Sequence, residues 1–230
     1  MIVNHIDEIW CSDLAEMQQF SKWNKGYRYL LMVVDVFSKY GWIVSLKDKQ
    51  GEAVTKAFKS IFKQGRKPQY LWTDKGKEYY NKHLKDSLDK NKITLYSTEN
   101  EEKSSVCERW NKTIKTKMWK QFTVQSNTQY LEILPEILKQ YNNTKHSSIK
   151  MTPVEASRKK NEGILYFNLN NNTEPRMKSP QFKASDKVRI SKYKRKVEVF
   201  TIDKIQYTSP ITYRLKDLHG EEIKGSFYDL

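Results

Sequence analysis

Three carboxylates stand in contexts suited to chemistry. Asp13 lies in Trp10-Cys11-Ser12-Asp13-Leu14, at the end of a short strand pattern. Asp74 lies in Leu71-Trp72-Thr73-Asp74-Lys75-Gly76, where an apolar strand pattern stops at an acid and a glycine turn begins. Glu108 lies in Val106-Cys107-Glu108-Arg109-Trp110, near the start of a helix pattern. Acids at strand ends and at a helix start can converge on one edge of a mixed sheet. Hard oxygen ligands of this kind suit Mg²⁺ or Mn²⁺, which bind through a few carboxylates plus substrate phosphates. Two such ions roughly 3.5–4 Å apart can stabilise the attacking and leaving oxygens of an in-line phosphoryl displacement. Residue types alone leave a plainer alternative open. The chain holds 27 acidic residues, Asp before a Gly-containing turn is ordinary turn chemistry, and Glu in a first helical turn suits the helix dipole.

The helix that carries Glu108 adds a second feature. At 100° per residue, Glu108, Lys112, Lys115 and Trp119 fall within about 60° of one another. Val106, Trp110 and Ile114, with Cys107 and Met118 beside them, take the opposite side and form the expected core face. One face thus presents a carboxylate followed by two ammonium groups, an arrangement suited to a catalytic acid beside a phosphate backbone. A solvated lysine-rich face with an i,i+4 Glu–Lys pair has the same pattern.

The elements that must position these groups can be read from periodicity. Ile9–Leu14, Tyr27–Phe37, Tyr40–Leu46, Tyr70–Thr73 and Ile93–Tyr96 are strand patterns, the second and third joined at Ser38-Lys39 as a hairpin. Glu52–Gln64 switches to helical spacing through Val54, Ala57, Phe58, Ile61 and Phe62. A polar helix is expected around Tyr80–Asp89, a longer one from Ser105 through Phe122, and another over Thr128–Tyr141 with a kink at Pro135. Strands in a meander, then strands alternating with helices, predict an α/β fold: a mixed five-stranded sheet flanked by helices. The run Phe167–Pro175 reads as a linker. Beyond it, Lys187–Ser191, Val199–Ile205, Thr212–Leu215 and Glu222–Phe227 are short β patterns, with His219-Gly220 as a hairpin turn. They predict a small all-β unit of a size that is only marginally stable alone.

Composition restricts the function classes. The 230 residues carry a formal charge of +15, with 37% hydrophobic and 13% aromatic residues, enough to build a core. Between Lys150 and Phe200 stand 13 basic and 5 acidic residues. No apolar run reaches the roughly 18 residues of a membrane span, and the first residues lack the pattern of a secretory signal. Cys11 and Cys107 are the only cysteines, which excludes a disulfide framework and makes a reducing, intracellular setting the default. His5, His83, His146 and His219 are scattered, without zinc-finger spacing, so no zinc and no membrane are expected. A polyanion is the expected partner, nucleic acid first.

These residues carry a resemblance. Trp-x-x-Asp13-Leu, Trp-Thr-Asp74-Lys-Gly-Lys-Glu and Val-Cys-Glu108-Arg-Trp-Asn-Lys-Thr-Ile-Lys resemble the retroviral-type integrase catalytic core, and more narrowly the integrases of Maverick/Polinton-type DNA transposons. Asp74 and Glu108 are separated by 33 residues, near the interval usual in that family. The hairpin Val34–Trp42, the segment Tyr141-Asn142-Asn143-Thr144-Lys145-His146-Ser147-Ser148, and Thr152-Pro153-Val154-Glu155-Ala156 match in the same order. The resemblance implies a ribonuclease-H-like fold and a D,D,E site holding two Mg²⁺ (or Mn²⁺) ions, Asp13 and Asp74 on one, Asp13 and Glu108 on the other. It implies metal-dependent trimming of DNA 3′ ends and their transfer into target DNA. Lys112 and Lys115 match positions that contact DNA in relatives. Asp35, inside a strand, reads as structural, and His146 as part of a structural turn rather than a late acid–base group.

The tail, through Phe182–Ser191 and the Leu215–Tyr228 hairpin, resembles the SH3-like or chromo-like module that follows such cores. Its DNA-binding face would comprise Lys187, Arg189, Lys192, Lys194, Arg195 and Lys196. The loop between its first two strands is shorter than in relatives. The expected organisation is a catalytic core over 1–163, a linker over 164–181 and the basic β module over 182–230. Relatives also carry an N-terminal His/His/Cys/Cys zinc domain; the expectation here is a piece of a longer element protein or a domesticated copy. The expected partners are element ends and target DNA, a second copy of the chain assembled on DNA, and chromatin. The nucleus is the expected location, and Tyr193-Lys194-Arg195-Lys196 can serve import or instead form a solvated hairpin tip or a phosphate contact. Two other functions fit the same residues: a DNA-binding protein with idle catalysis, and a nuclease of the same fold.

Overall fold

The structure, a computed structural model, describes residues 3–97, 105–170, 180–189, 199–206 and 211–227. The chain forms two compact units, Met1–Asn170 and Asn171–Leu230. In the first, five strands pair in the order β3-β2-β1-β4-β5: β1 is Ile9–Glu16, β2 Tyr29–Asp35, β3 Gly41–Leu46, β4 Tyr70–Trp72 and β5 Thr94–Tyr96. The first three run antiparallel, and β4 and β5 add in parallel to β1. The sheet is mixed, as the strand and helix patterns predict.

Alternation along β2 sorts its side chains onto two faces. Leu31 and Val33 join Trp10, Leu71 and the helices α1 (Gly51–Phe62) and α2 (Lys82–Lys90) through Val54, Phe58, Ile61, Leu84 and Leu88. Leu30, Met32 and Val34 face α3 (Ser105–Gln125) and α4 (Leu134–Asn143) through Trp110, Ile114, Met118, Ile137 and Tyr141. Burying both faces explains why β2 has no polar alternation: all seven of its residues are buried.

Two details differ from the sequence reading. Pro135 does not kink a helix over 128–141. It stands in the first turn of α4, where its missing N–H would have had no helical partner. The first residues of the expected linker, from 164 to 170, are helical: Glu162–Asn170 form a helix, α6, after the short α5 (Pro153–Ala156). Leu165 on α6 is buried with Phe37, Ile149 and Ala156, so these contacts override the Asn-rich composition. α5 opens with a capping box in which Thr152 and Glu155 exchange hydrogen bonds with each other's backbone.

The second unit is a four-stranded antiparallel sheet, β6 (Lys187–Arg189), β7 (Val199–Gln206), β8 (Thr212–Lys216) and β9 (Glu222–Phe227), paired in chain order. Phe200, Ile202, Tyr213 and Leu215 form its small core. Gly220, at φ +87°, sits in the β8–β9 turn, a conformation glycine adopts without strain.

Candidate active site

β1 brings Asp13 to the α3 side of the sheet, because Asp13 shares the parity of Cys11 and Ala15, both packed in that core. In the parallel register Cys11 lies opposite Trp72, and two residues further along each chain come Asp13 and Asp74. α3 packs over the same edge through Cys107, Trp110, Ile114 and Met118, all buried, leaving Glu108 and Lys112 exposed and Lys115 half-buried. The core and solvent faces of this helix are those its periodicity predicts.

Asp13, Glu108, Asn111, Lys112, Lys115 and Trp119 line one hollow of about 370 Å³. Asp13 Oδ1 accepts from Leu14 N at 2.9 Å and Oδ2 from Asn111 Nδ2 at 2.6 Å. Asn111 Oδ1 is buried without a hydrogen-bond partner. Two carboxylates and an orphaned amide oxygen make the hollow rich in acceptors, while Lys112 and Lys115 supply cations at its rim. Asn111 is the residue that sequence reasoning missed. It follows Glu108 by three positions, yet an uncharged amide offers no signal of its own until its partner is known.

Asp74 is exposed and does not line this hollow. Its Oδ1 accepts from Gly76 N at 3.1 Å, closing the turn that follows β4. Among the described residues, no three acidic, histidine or cysteine side chains lie close enough to hold one metal ion. Carboxylate oxygens are the right donors for magnesium, but as placed the three acids do not enclose one. The physical reason is visible in their partners: Asp74 is committed to its own turn, and Asp13 to Leu14 and Asn111.

Cys11 and Cys107 are both buried, without a disulfide between them, in the core that the sheet shares with α3. The Cys107 thiol is held far above its ordinary range by contact with Cys11 and by burial. Tyr79, on the opposite face of β1, meets Ser12 Oγ at 3.3 Å, and burial raises its phenol. Asp35 is wholly buried and structural in its contacts, accepting from Arg66 Nη2 at 2.7 Å, Phe37 N at 3.1 Å and Ser38 Oγ at 2.5 Å. His146 sits in a turn closed by His146 N to Met151 O and Lys150 N to His146 O.

In the second unit Lys187 is exposed on β6. The side chain of Arg189, and Lys192, Lys194, Arg195 and Lys196 with the shortened loop, lie outside the described residues.

Comparison with known proteins gives likenesses of three kinds. Residues 4–103 match the integrase core domain. A transposon-derived protein of Caenorhabditis elegans is 35% identical over 143 residues, 62% of this chain and 50% of that protein. The chain therefore spans about half the length of that relative. Among solved structures, the integrase catalytic core of HTLV-2, in complex with magnesium in a dimeric form, superposes with a TM-score of 0.57 at 19% identity, covering 67% of this chain and 97% of that one. The simian T-cell lymphotropic virus intasome, in complex with PP2A regulatory subunit B56 gamma, gives a TM-score of 0.60 at 19% identity, covering 83% of this chain and 62% of that one. The five-stranded unit has the ribonuclease-H-like fold of integrase cores.

Proposed function

We propose that this chain acts on DNA as a polynucleotidyl transferase of the integrase type, trimming DNA 3′ ends and joining them to target DNA. The observation that carries the reading is the hollow where Asp13 and Glu108 meet Lys112 and Lys115, beside the strand end that leads to Asp74. Lys112 and Lys115 would hold the phosphates of the strand being cut or joined, and Asn111 would orient Asp13. A divalent ion, Mg²⁺ or Mn²⁺, belongs to this reading, two per site by the family pattern, and the HTLV-2 core was solved with magnesium. An origin in a Maverick/Polinton-type element, an SH3-like or chromo-like role for the four-stranded unit with Lys187 on its binding face, assembly of several copies on DNA, chromatin as a partner and a nuclear location complete it.

A strand-transfer assay tests the proposal, with pre-trimmed oligonucleotide ends and Mn²⁺, comparing the chain with Asp74→Asn and Glu108→Gln. Joining or nicking that needs the metal and falls at least about a hundredfold in either variant is expected, since such residues act in the transition state. Equal product from all three proteins would overturn the site. The engagement of Asp74 in its own turn, outside the hollow, favours one second reading, a DNA-binding protein with idle catalysis. Tight DNA binding with no product from any of the three would select it, and hydrolysis without joining would select a nuclease.

A further inference from the structure

On the other side of α3 lies a second concavity, and its chemistry differs from that of the acid-lined hollow. It measures about 270 Å³ and is bounded by the β2–β3 turn, α3, the turn after α4 and the end of α6. Lys39, Arg109, Lys117, Lys145 and His146 line it, and among the described residues no carboxylate does. The floor is apolar, made by Trp110, Tyr141 and Leu169. Four separate segments of chain thus bring their cations to one recess over aromatic and aliphatic carbon.

Among the described residues, the cations lining the recess have no carboxylate in it to balance them. Burial, and then Arg109 beside it, pull the Lys39 ammonium down to about 8 against the upward pull of Asp35. Burial, Lys39 and Arg109 lower the His146 imidazolium in the same way. Lys39 Nζ reaches a neutral acceptor, Val36 O, at 2.6 Å. An anion seated here would relieve each of these costs.

We infer that this pocket is a second nucleic-acid subsite, taking one unpaired nucleotide of a single strand. Its phosphate lies among Arg109, Lys117 and Lys145, and its sugar and base lie on the apolar floor. The size restricts the ligand: the volume lies just below the range of about 300–1,000 Å³ for small-molecule sites, room for no more than one nucleotide. A duplex keeps its bases stacked inside and presents only backbone to a recess. An unpaired nucleotide can place base and phosphate in it together, the pairing of cation and aromatic carbon that single-strand sites use. The inference shares with the proposed function only a nucleic-acid partner. A chain that binds strands here but joins no ends would fail the one and keep the other.

The test measures fluorescence anisotropy of a short labelled oligothymidylate and of a labelled blunt duplex of equal length, on the full chain at one salt concentration. K117A/K145A removes two pocket cations, and K59A/K63A removes two exposed lysines from the end of α1 as the charge control. The pocket variant is expected to weaken single-strand binding about tenfold more than the control does, with duplex binding falling equally in both. An abasic strand is expected to bind more weakly than oligothymidylate. Parallel losses on strand and duplex in both variants would overturn the inference as mere charge. An abasic strand that binds as well as oligothymidylate would overturn the nucleotide and leave a site for phosphate alone. Thermal melting checks that the variants fold, and Arg109→Gln repeats the comparison where K117A/K145A does not.

Discussion

At the scale of single residues, the most consequential charge in the core is Asp35. It has no exposure, and its stability depends on Arg66, whose Nη2 also reaches Asp7 Oδ1 at 2.6 Å while the guanidinium lies over the rings of Tyr40 and Trp42. Removing one member of a buried pair strands the other, so Arg66→Ala is expected to lower the unfolding free energy by about 3–5 kcal/mol. Urea denaturation reads this directly, and adding Asp35→Asn should recover part of the loss. A loss under about 0.5 kcal/mol, typical of a surface change, would mean the pair is not buried as described. Lys39 makes the opposite kind of contribution. Its folded-state value, about 8, lies below the ordinary 10.5, so between those values the unfolded chain binds more protons than the folded one. Stability contributed at this position therefore rises with pH from about 8 towards 10.5. The groups that face it are Asp35, Arg109 and His146. Denaturation curves of the chain and of Lys39→Met across that window are expected to converge as pH rises, with the methionine variant the more stable at pH 7. A gap that stays constant with pH would overturn the account.

At the scale of elements, one close joint is where α3 and α4 meet β3. Gly41 exchanges two hydrogen bonds with the Asn142 amide, each at 3.0 Å, and Tyr141 donates to Lys39 O at 3.0 Å. A side chain at Gly41 would drive its Cβ into the indole of Trp110, which is itself held edge-on by Tyr141 at 5.7 Å. Gly41→Ala is therefore expected to cost about 1–3 kcal/mol by overpacking, seen as a lowered melting temperature, whereas an unchanged one would contradict this packing. The same joint shows what a sequence can and cannot reveal. The faces of α3 were legible because Cys107, Trp110, Ile114 and Met118 repeat at helical spacing. The Tyr141-Asn142 motif was legible as a pattern, but not its task, since Asn142 satisfies a backbone 101 positions away. Pro135 was misread because a proline that starts a helix and one that kinks it look alike in periodicity. α6 was misread because Asn-rich composition predicts a loop until Leu165 finds Phe37.

At the scale of the whole molecule, both concavities on α3 are assembled from distant segments. Position along the chain announced the acids but not the basic recess made by Lys39, Arg109, Lys117, Lys145 and His146. What composition does announce is the field. A charge of +15 on 230 residues makes duplex binding a counterion-release process, with the logarithm of the binding constant falling linearly against the logarithm of salt concentration. The slope is about −0.9 for each phosphate neutralised. Lys112 and Lys115 line the hollow together with Asp13 and Glu108. If they contact backbone phosphates, the double variant K112A/K115A should flatten that slope by roughly 1–2 and weaken binding to all sequences alike. Filter binding over a salt series measures both quantities at once. An unchanged slope with weakened binding would mean the two lysines shape the hollow without touching phosphate. A salt response flat from the outset would remove nucleic-acid backbone as the partner of this charge altogether.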